Sequence, residues 1–233
     1  MARGDTLGEL LEMLRAECRI TTSVAQGQAN ENYLKQLIRR YYEQLYDDYD
    51  WPFARIKKSV ARKTIAAGSR YYDFPTAIDV ERIERLYYLD GSQWRPMKRG
   101  INPFDYSVHD SDGDERADPI LKWDIYTDSQ FEVWPLPASA GTVWVDGIKK
   151  KNALTANEDT CDLDGNMIVL FAAAEVLAAT NQKDSQTKLQ AAQGRRDQLR
   201  GKLAGSEEDF VMGGETDNQT RRPPEVSVVA TTS

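Results

Sequence analysis

A chain of 233 residues with 30 Lys and Arg against 37 Asp and Glu, a formal net charge of −7 and a hydrophobic fraction of 40% has the size of one ordinary domain or one with a large insertion or arm. That balance excludes a large multidomain enzyme and a generally basic nucleic-acid binder. The longest apolar run, Met167 to Ala174, falls well short of the roughly 20 apolar residues a membrane-spanning helix needs, so no membrane partner is expected.

In chain order, Thr6 to Glu9 spell the capping box T-x-x-E and predict a helix start, since the Thr oxygen and the Glu carboxylate each satisfy an orphan backbone N–H. Leu7, Leu10, Leu11, Leu14 and Cys18 then form one apolar stripe. After the polar linker TTSVAQGQAN, Asn30 is the expected cap of a second helix. Its stripe is Leu34, Leu37, Ile38, Tyr41 and Leu45, widened on both flanks by Tyr33, Tyr42, Tyr46 and Tyr49. The widened arc covers a little over 200° (roughly 100° suits a helix packed on one core), so contact from two sides is expected. The subunit-interface candidates are accordingly Tyr41, Tyr42, Tyr46, Tyr49 and Trp51. The helix must end by Asp50, because Trp51 precedes Pro52.

Between residues 53 and 152 short runs rich in Val, Ile, Tyr and Trp, broken by turn signals such as Asp90-Gly91 and Ala140-Gly141, predict a β-rich insertion. The expected strands are 55–66, 70–74, 82–89, 93–98, 120–126, 130–134 and 142–149. A short helical turn is expected at 102–108 and a polar loop at 109–117. From Met167 an alanine-rich helix follows. A further helical run carrying Leu189, Ala192, Leu199 and Leu203 either continues it, with an interruption at 181–184, or turns back against it. The last 29 residues, 205–233, hold too little apolar surface to offset ordering entropy, and a flexible C-terminal arm is expected. Together these readings describe an α+β chain. It is expected to be mainly a helical bundle, 1–52 with 153–204, carrying the β-rich insertion and ending in the arm.

Catalytic chemistry is hard to find. No nucleophile elbow, P-loop or dinucleotide fingerprint is present, and His109, the single histidine, lies beside aspartates with no nucleophile near it. Asp110, Asp112, Asp114 and Asp118 resemble the start of a calcium loop, but Glu115 replaces the turn glycine and Leu121 the bidentate Glu. The Asp162, Asp164, Asn166 run is more simply an acidic helix N-terminus. Cys18, on an apolar helix face, and Cys161, in a polar loop, are expected as reduced thiols, and one histidine with two cysteines cannot complete a structural zinc site. No cofactor and no metal are expected. Lys57, Lys58, Arg62, Lys63 and Lys149 to Lys151 are read as charges guarding strand edges rather than as a nucleic-acid site.

The opening TLGELLEMLRAE, the polar linker and then NYLKQLIRRYYEQLYDDYDWPF, with Asp50-Trp51-Pro52 its most telling part, resemble the N-terminal signature of tailed-bacteriophage head-tail adaptor proteins. The resemblance covers roughly residues 1–205 in order of elements and is motif-specific over the first 53. It implies a non-enzymatic virion protein at the head-tail interface, mainly helical with a β-rich insertion. It also implies a homo-oligomeric ring of twelve subunits, assembled in the host cytoplasm under the portal protein and above a tail or nozzle protein, through which double-stranded DNA passes without specific binding. A neck or tail-completion protein of different symmetry is the alternative. In the arm, Phe210, Val211 and Met212, followed after a Pro-rich hinge by Val226, Val228 and Val229, are the expected portal-binding residues, on the argument that a strand-forming segment without a partner can add to a neighbour's sheet edge.

Overall fold

The computed structural model describes residues 3–20, 27–57 and 59–204; the arm residues Phe210, Val211, Met212, Val226, Val228 and Val229, and Lys58, lie outside them. The capping box forms as the sequence predicts: Thr6 Oγ1 accepts from Glu9 N at 3.2 Å, and Thr6 N donates to the Glu9 carboxylate at 2.8 Å, opening α1 (Leu7–Glu17). Helix α2 runs over Gly27–Asp47. It begins a turn before Asn30, which is inside the helix rather than at its cap. Helices α4 (Gly165–Ala179) and α5 (Asp184–Ala204) close the described chain. Between them Asn181 adopts a left-handed φ of 54°. Gln182 N donates to Leu177 O at 2.9 Å and Asn181 N to Ala178 O at 3.0 Å, the paired bonds that satisfy the last carbonyls of a helix and stop it. α5 therefore turns back against α4.

α4 is apolar on every side, as a helix must be when neighbours cover all of it. Met167, Ile168, Val169, Phe171 and Ala172 to Ala174 are buried among α1, α2 and α5. Its first turn approaches α1 so closely that a Cβ on Gly165 would lie 2.3 Å from the Asp5 carboxylate and 2.6 Å from Leu10 Cδ2. α5 contributes Ala192 and Leu199 to this core. Ion pairs add to its attachment, Lys188 to Glu17, Arg195 to Asp164 and Arg200 to Asp48, and Arg200 also lies over the Tyr49 ring.

The insertion is a sandwich of two four-stranded sheets. The strands are β1 (Arg62–Ile65), β2 (Tyr71–Asp73), β3 (Ile78–Asp90), β4 (Gln93–Pro96), β5 (Lys98–Arg99), β6 (Lys122–Thr127), β7 (Gln130–Trp134) and β8 (Gly141–Lys149), with the short helix α3 (Pro103–Val108) after β5. One sheet has the order β1-β8-β3-β4 and the other β2-β7-β6-β5. All pairs are antiparallel except β5 with β6. Ile65, Leu86, Tyr88, Val143 and Val145 from the first sheet meet Tyr72, Trp123, Phe131 and Val133 from the second in one core, the alternation that places every second side chain inward.

A mainly helical bundle is therefore the wrong class. Among the described residues helix accounts for about 38% and strand for about 28%, in two sheets, so the fold is α+β with a β sandwich that has its own core. The expected strand 55–66 shortens to Arg62–Ile65, because the chain turns just before it, where Val60 N and Ala61 N both donate to Lys57 O. Cys161 does not lie in a solvated loop but is buried at the helical core, as Cys18 is.

Candidate interaction surfaces

The junction of the two halves is built at the C-terminal end of α2, where the last carbonyls of the helix have no intrahelical donor. Trp51 is buried and its Nε1 donates to Leu45 O at 3.1 Å, while its ring packs between Tyr49 and Phe53. Arg82 reaches over from β3: Nη1 donates to Tyr46 O at 3.0 Å, Nη2 to Tyr49 O at 2.9 Å, and the same guanidinium pairs with Asp50. A planar cation with five donors suits several carbonyls and a carboxylate at once. Tyr46 Oη donates to Lys149 O at 2.7 Å, so the end of β8 is held from the helix as well.

Farther along α2, Tyr42 Oη donates to Asp162 at 2.9 Å. The same carboxylate accepts from Lys149 Nζ at 2.6 Å and from Asn152 N at 2.9 Å. Tyr41 Oη donates to Glu175 at 2.7 Å, and that carboxylate also pairs with Arg40. Burial pushes the Tyr41 hydroxyl up to about 12, helped by Glu175, and pushes Tyr42 and Tyr46 above the usual tyrosine range, with Asp162 adding to both.

Of the five interface candidates, Tyr42, Tyr46 and Trp51 are 2%, 0% and 1% exposed and face this chain's own core. For Tyr42 and Tyr46 the second side of the wide α2 arc is met by the chain itself, through Asp162 and Lys149. Tyr41 and Tyr49 are only partly buried, and Tyr33, on the flank of the arc, is exposed.

More aromatic surface lies where sequence reasoning did not place it, on the outer faces of the sandwich. On the β1-β8-β3-β4 sheet the register aligns Arg62, Trp144, Tyr87 and Pro96 in one row. Tyr87 stacks on Trp144 at 5.0 Å, Trp94 meets Trp144 edge-on at 6.0 Å, and the Arg62 guanidinium lies 5.6 Å from the Trp94 ring centroid. On the opposite sheet Tyr71 and Tyr126 pack with centroids 4.1 Å apart and are both exposed. Beside them α3 is moored by Asp105 to Lys122 and by Tyr106 Oη, which donates to Glu132 at 2.6 Å. Arg70 Nε donates to the same Glu132 at 2.7 Å. α3 keeps Phe104 and Val108 turned outward. The signal in the sequence was the strand T-V-W-V-D at 142–146: its Val residues occupy the inward phase, so the intervening Trp stands on the solvent phase.

The acidic loop is engaged internally. Asp112 pairs with Arg70, Asp114 with Arg116, and Asp118 accepts from Ser139 Oγ at 2.7 Å. His109 contributes its carbonyl to Trp134 Nε1. Asp164 caps α4 by accepting from Met167 N at 3.1 Å. Among the described residues no cluster of three His, Cys, Asp or Glu is arranged to hold a metal ion, and no helix is long and apolar enough to cross a membrane. Arg62 and Lys63 lie on β1, an edge strand, where charge discourages pairing with a foreign strand. Lys149 and Lys151 are in ion pairs with Asp162 and Asp47.

A cleft of about 490 Å³ opens beside the junction, lined by Arg3, Trp51, Phe53, Met167, Arg195 and Leu199 among others. Arg3 lies 3.9 Å over the Phe53 ring, and Arg195 is committed to Asp164. Asp164 and Lys202 also lie on its rim, and the Asp164 carboxylate is engaged by Met167 N and Arg195. A family model described as SU10 adaptor protein matches residues 5–223. No curated protein matches the chain.

Proposed function

Because the chain belongs to the SU10 adaptor protein family, whose members are structural adaptors of phage virions and not an enzyme class, we propose that it is the head-tail adaptor of a tailed phage. In this reading it forms a ring of twelve subunits beneath the portal, joins the capsid to the tail or nozzle protein below, and lines part of the channel through which double-stranded DNA passes. The family match over nearly the whole chain is the observation that carries the proposal. The acidic net charge of −7 supports a conduit that repels phosphates instead of binding them.

Tyr49, at the junction, and Tyr41, farther along α2, both partly exposed, are proposed to contact a neighbouring subunit, with Tyr42, Tyr46 and Trp51 setting the geometry behind them. The segment 205–233, through Phe210, Val211 and Met212 and through Val226, Val228 and Val229, is proposed to engage the portal. Repeated around a ring, twelve weak contacts of this kind give a strong one. Imaging portal particles incubated with the full chain and with a chain ending at residue 204 tests this. An added ring of density below the portal is expected with the full chain, and weaker occupancy with the truncated one. No added density with the full chain overturns the reading.

A further inference from the structure

The two outer faces of a β sandwich point in opposite directions, and here both carry aromatic side chains on the solvent phase. The first, on β1-β8-β3-β4, carries Tyr87, Trp94 and Trp144, each half-buried, with Arg62 and Arg85. Both arginines are exposed, and no carboxylate among the described residues lies within ion-pair distance of either. The second face, on β2-β7-β6-β5, presents Tyr71, Tyr126 and, on α3, Phe104. Asp73 and Asp128 are exposed there; Asp73 accepts from the neutral Gln130 amide, and neither has a cationic partner among the described residues. The first face thus offers aromatic rings with two arginines outside ion-pair distance of a carboxylate, Asp146 opposite Arg85 being paired with Arg55; the second offers aromatic rings with Asp73 and Asp128, beside the cations Lys98 and Arg70, the latter paired with Asp112 and Glu132.

We propose that the face bearing Tyr87, Trp94 and Trp144 on one copy of this chain docks on the face bearing Tyr71, Phe104 and Tyr126 on the next, with Arg62 and Arg85 opposite Asp73 and Asp128. Aromatic residues and arginine at the centre of a patch are what carry binding energy at protein interfaces, and the opposed charges fix which face meets which. Because the two faces differ and lie back to back, each docking leaves one face of each kind unused. Such a heterologous contact ends only when the chain of subunits closes on itself. The proposal rests on the ring reading above and deepens it by naming a further surface, beside that of Tyr41 and Tyr49, through which neighbouring subunits meet.

Complementary variants test it. One, Arg62→Glu with Arg85→Glu and Trp94→Ser, spoils the first face; the other, Asp73→Lys with Asp128→Lys and Tyr126→Ser, spoils the second. All six positions are on the solvent phase or in a turn, and unchanged thermal unfolding of each variant verifies the fold. Under conditions where the wild type forms rings, with portal present if it is needed, each variant alone is expected to remain monomeric by native mass. An equimolar mixture is expected to stop at a one-to-one heterodimer, because a single intact pair of faces survives. The charge reversals of both faces combined in one chain, without the Ser substitutions, are expected to restore rings. Folded variants that close into rings like the wild type overturn the proposed interface and leave the ring reading standing. A wild type that forms no ring with or without portal overturns both.

Discussion

Arg82 shows how one residue joins two folding units. Its guanidinium serves the Tyr46 and Tyr49 carbonyls and Asp50 together and lies over the Tyr46 ring, so the end of α2 and the start of the sandwich share one cation. Arg82→Lys keeps the charge but loses the fork, and chemical denaturation should show a loss of about 2 kcal/mol, with Arg82→Ala costing somewhat more. Unchanged stability in both would mean that Trp51 and the Tyr46–Lys149 bond hold the junction without Arg82. The buried hydroxyls and thiols make a second prediction. Burial raises Cys18 from 9 to about 11, Cys161 to about 12 and Tyr41 from 10 to about 12, with Tyr42 and Tyr46 pushed higher. Since the fold favours the protonated form, the unfolded chain releases these protons first. Their contribution to stability is whole below the unfolded values of 9 and 10 and is lost as pH rises toward 12. The midpoint of urea unfolding should fall steeply over that window, and Tyr42→Phe, which has no proton to lose, should make the fall shallower.

At the scale of elements, the break between α4 and α5 was visible as an interruption near Asn181, but its outcome was not. A single left-handed asparagine turns the chain back, and whether α5 finds a surface to return to depends on Glu17, Asp48 and Asp164, which are remote in sequence. α1 was legible almost to the residue because its cap is local. The strands were legible where inward apolar residues alternate with outward ones, as with Phe131 and Val133 and with Val143 and Val145. The stretch 55–61 was misassigned because its β-forming composition was overridden by the turn closed on Lys57 O and the docking of Ile56 and Ala61 into the sandwich core. The overall balance of helix and strand was misjudged for a related reason: two sheets that bury one shared face form a body of their own. The tyrosines of α2 were legible as a wide apolar arc, yet the partners met by Tyr42 and Tyr46 are Asp162 and Lys149 of the same chain, which no periodicity reveals. Where α1 crosses α4, Gly165→Ala should destabilise the protein by about 1–3 kcal/mol, since the added methyl meets Asp5 and Leu10 at distances that force one of them to move. Thermal unfolding with the two-helix contact followed by the proximity of Cys18 and α4 reports this, and a neutral result would show that the N-terminal segment gives way freely.

For the whole molecule, the work of an adaptor is proposed to divide between the helical half, with Tyr41, Tyr49 and the segment 205–233, and the sandwich, with its two aromatic faces. Opposed charges across a repeated contact make assembly sensitive to ionic strength, so ring formation should require higher protein concentration as salt is raised toward 1 M, as read by light scattering. Salt-independent assembly would place the ring contact on apolar surface alone. The central claim is that this chain closes a ring on the portal, and the native mass of portal particles saturated with the protein tests it most directly. The account predicts an increment of twelve chains of 26.4 kDa each, without intermediates at saturation. A particle that gains a single chain, or whose mass does not change, would contradict it.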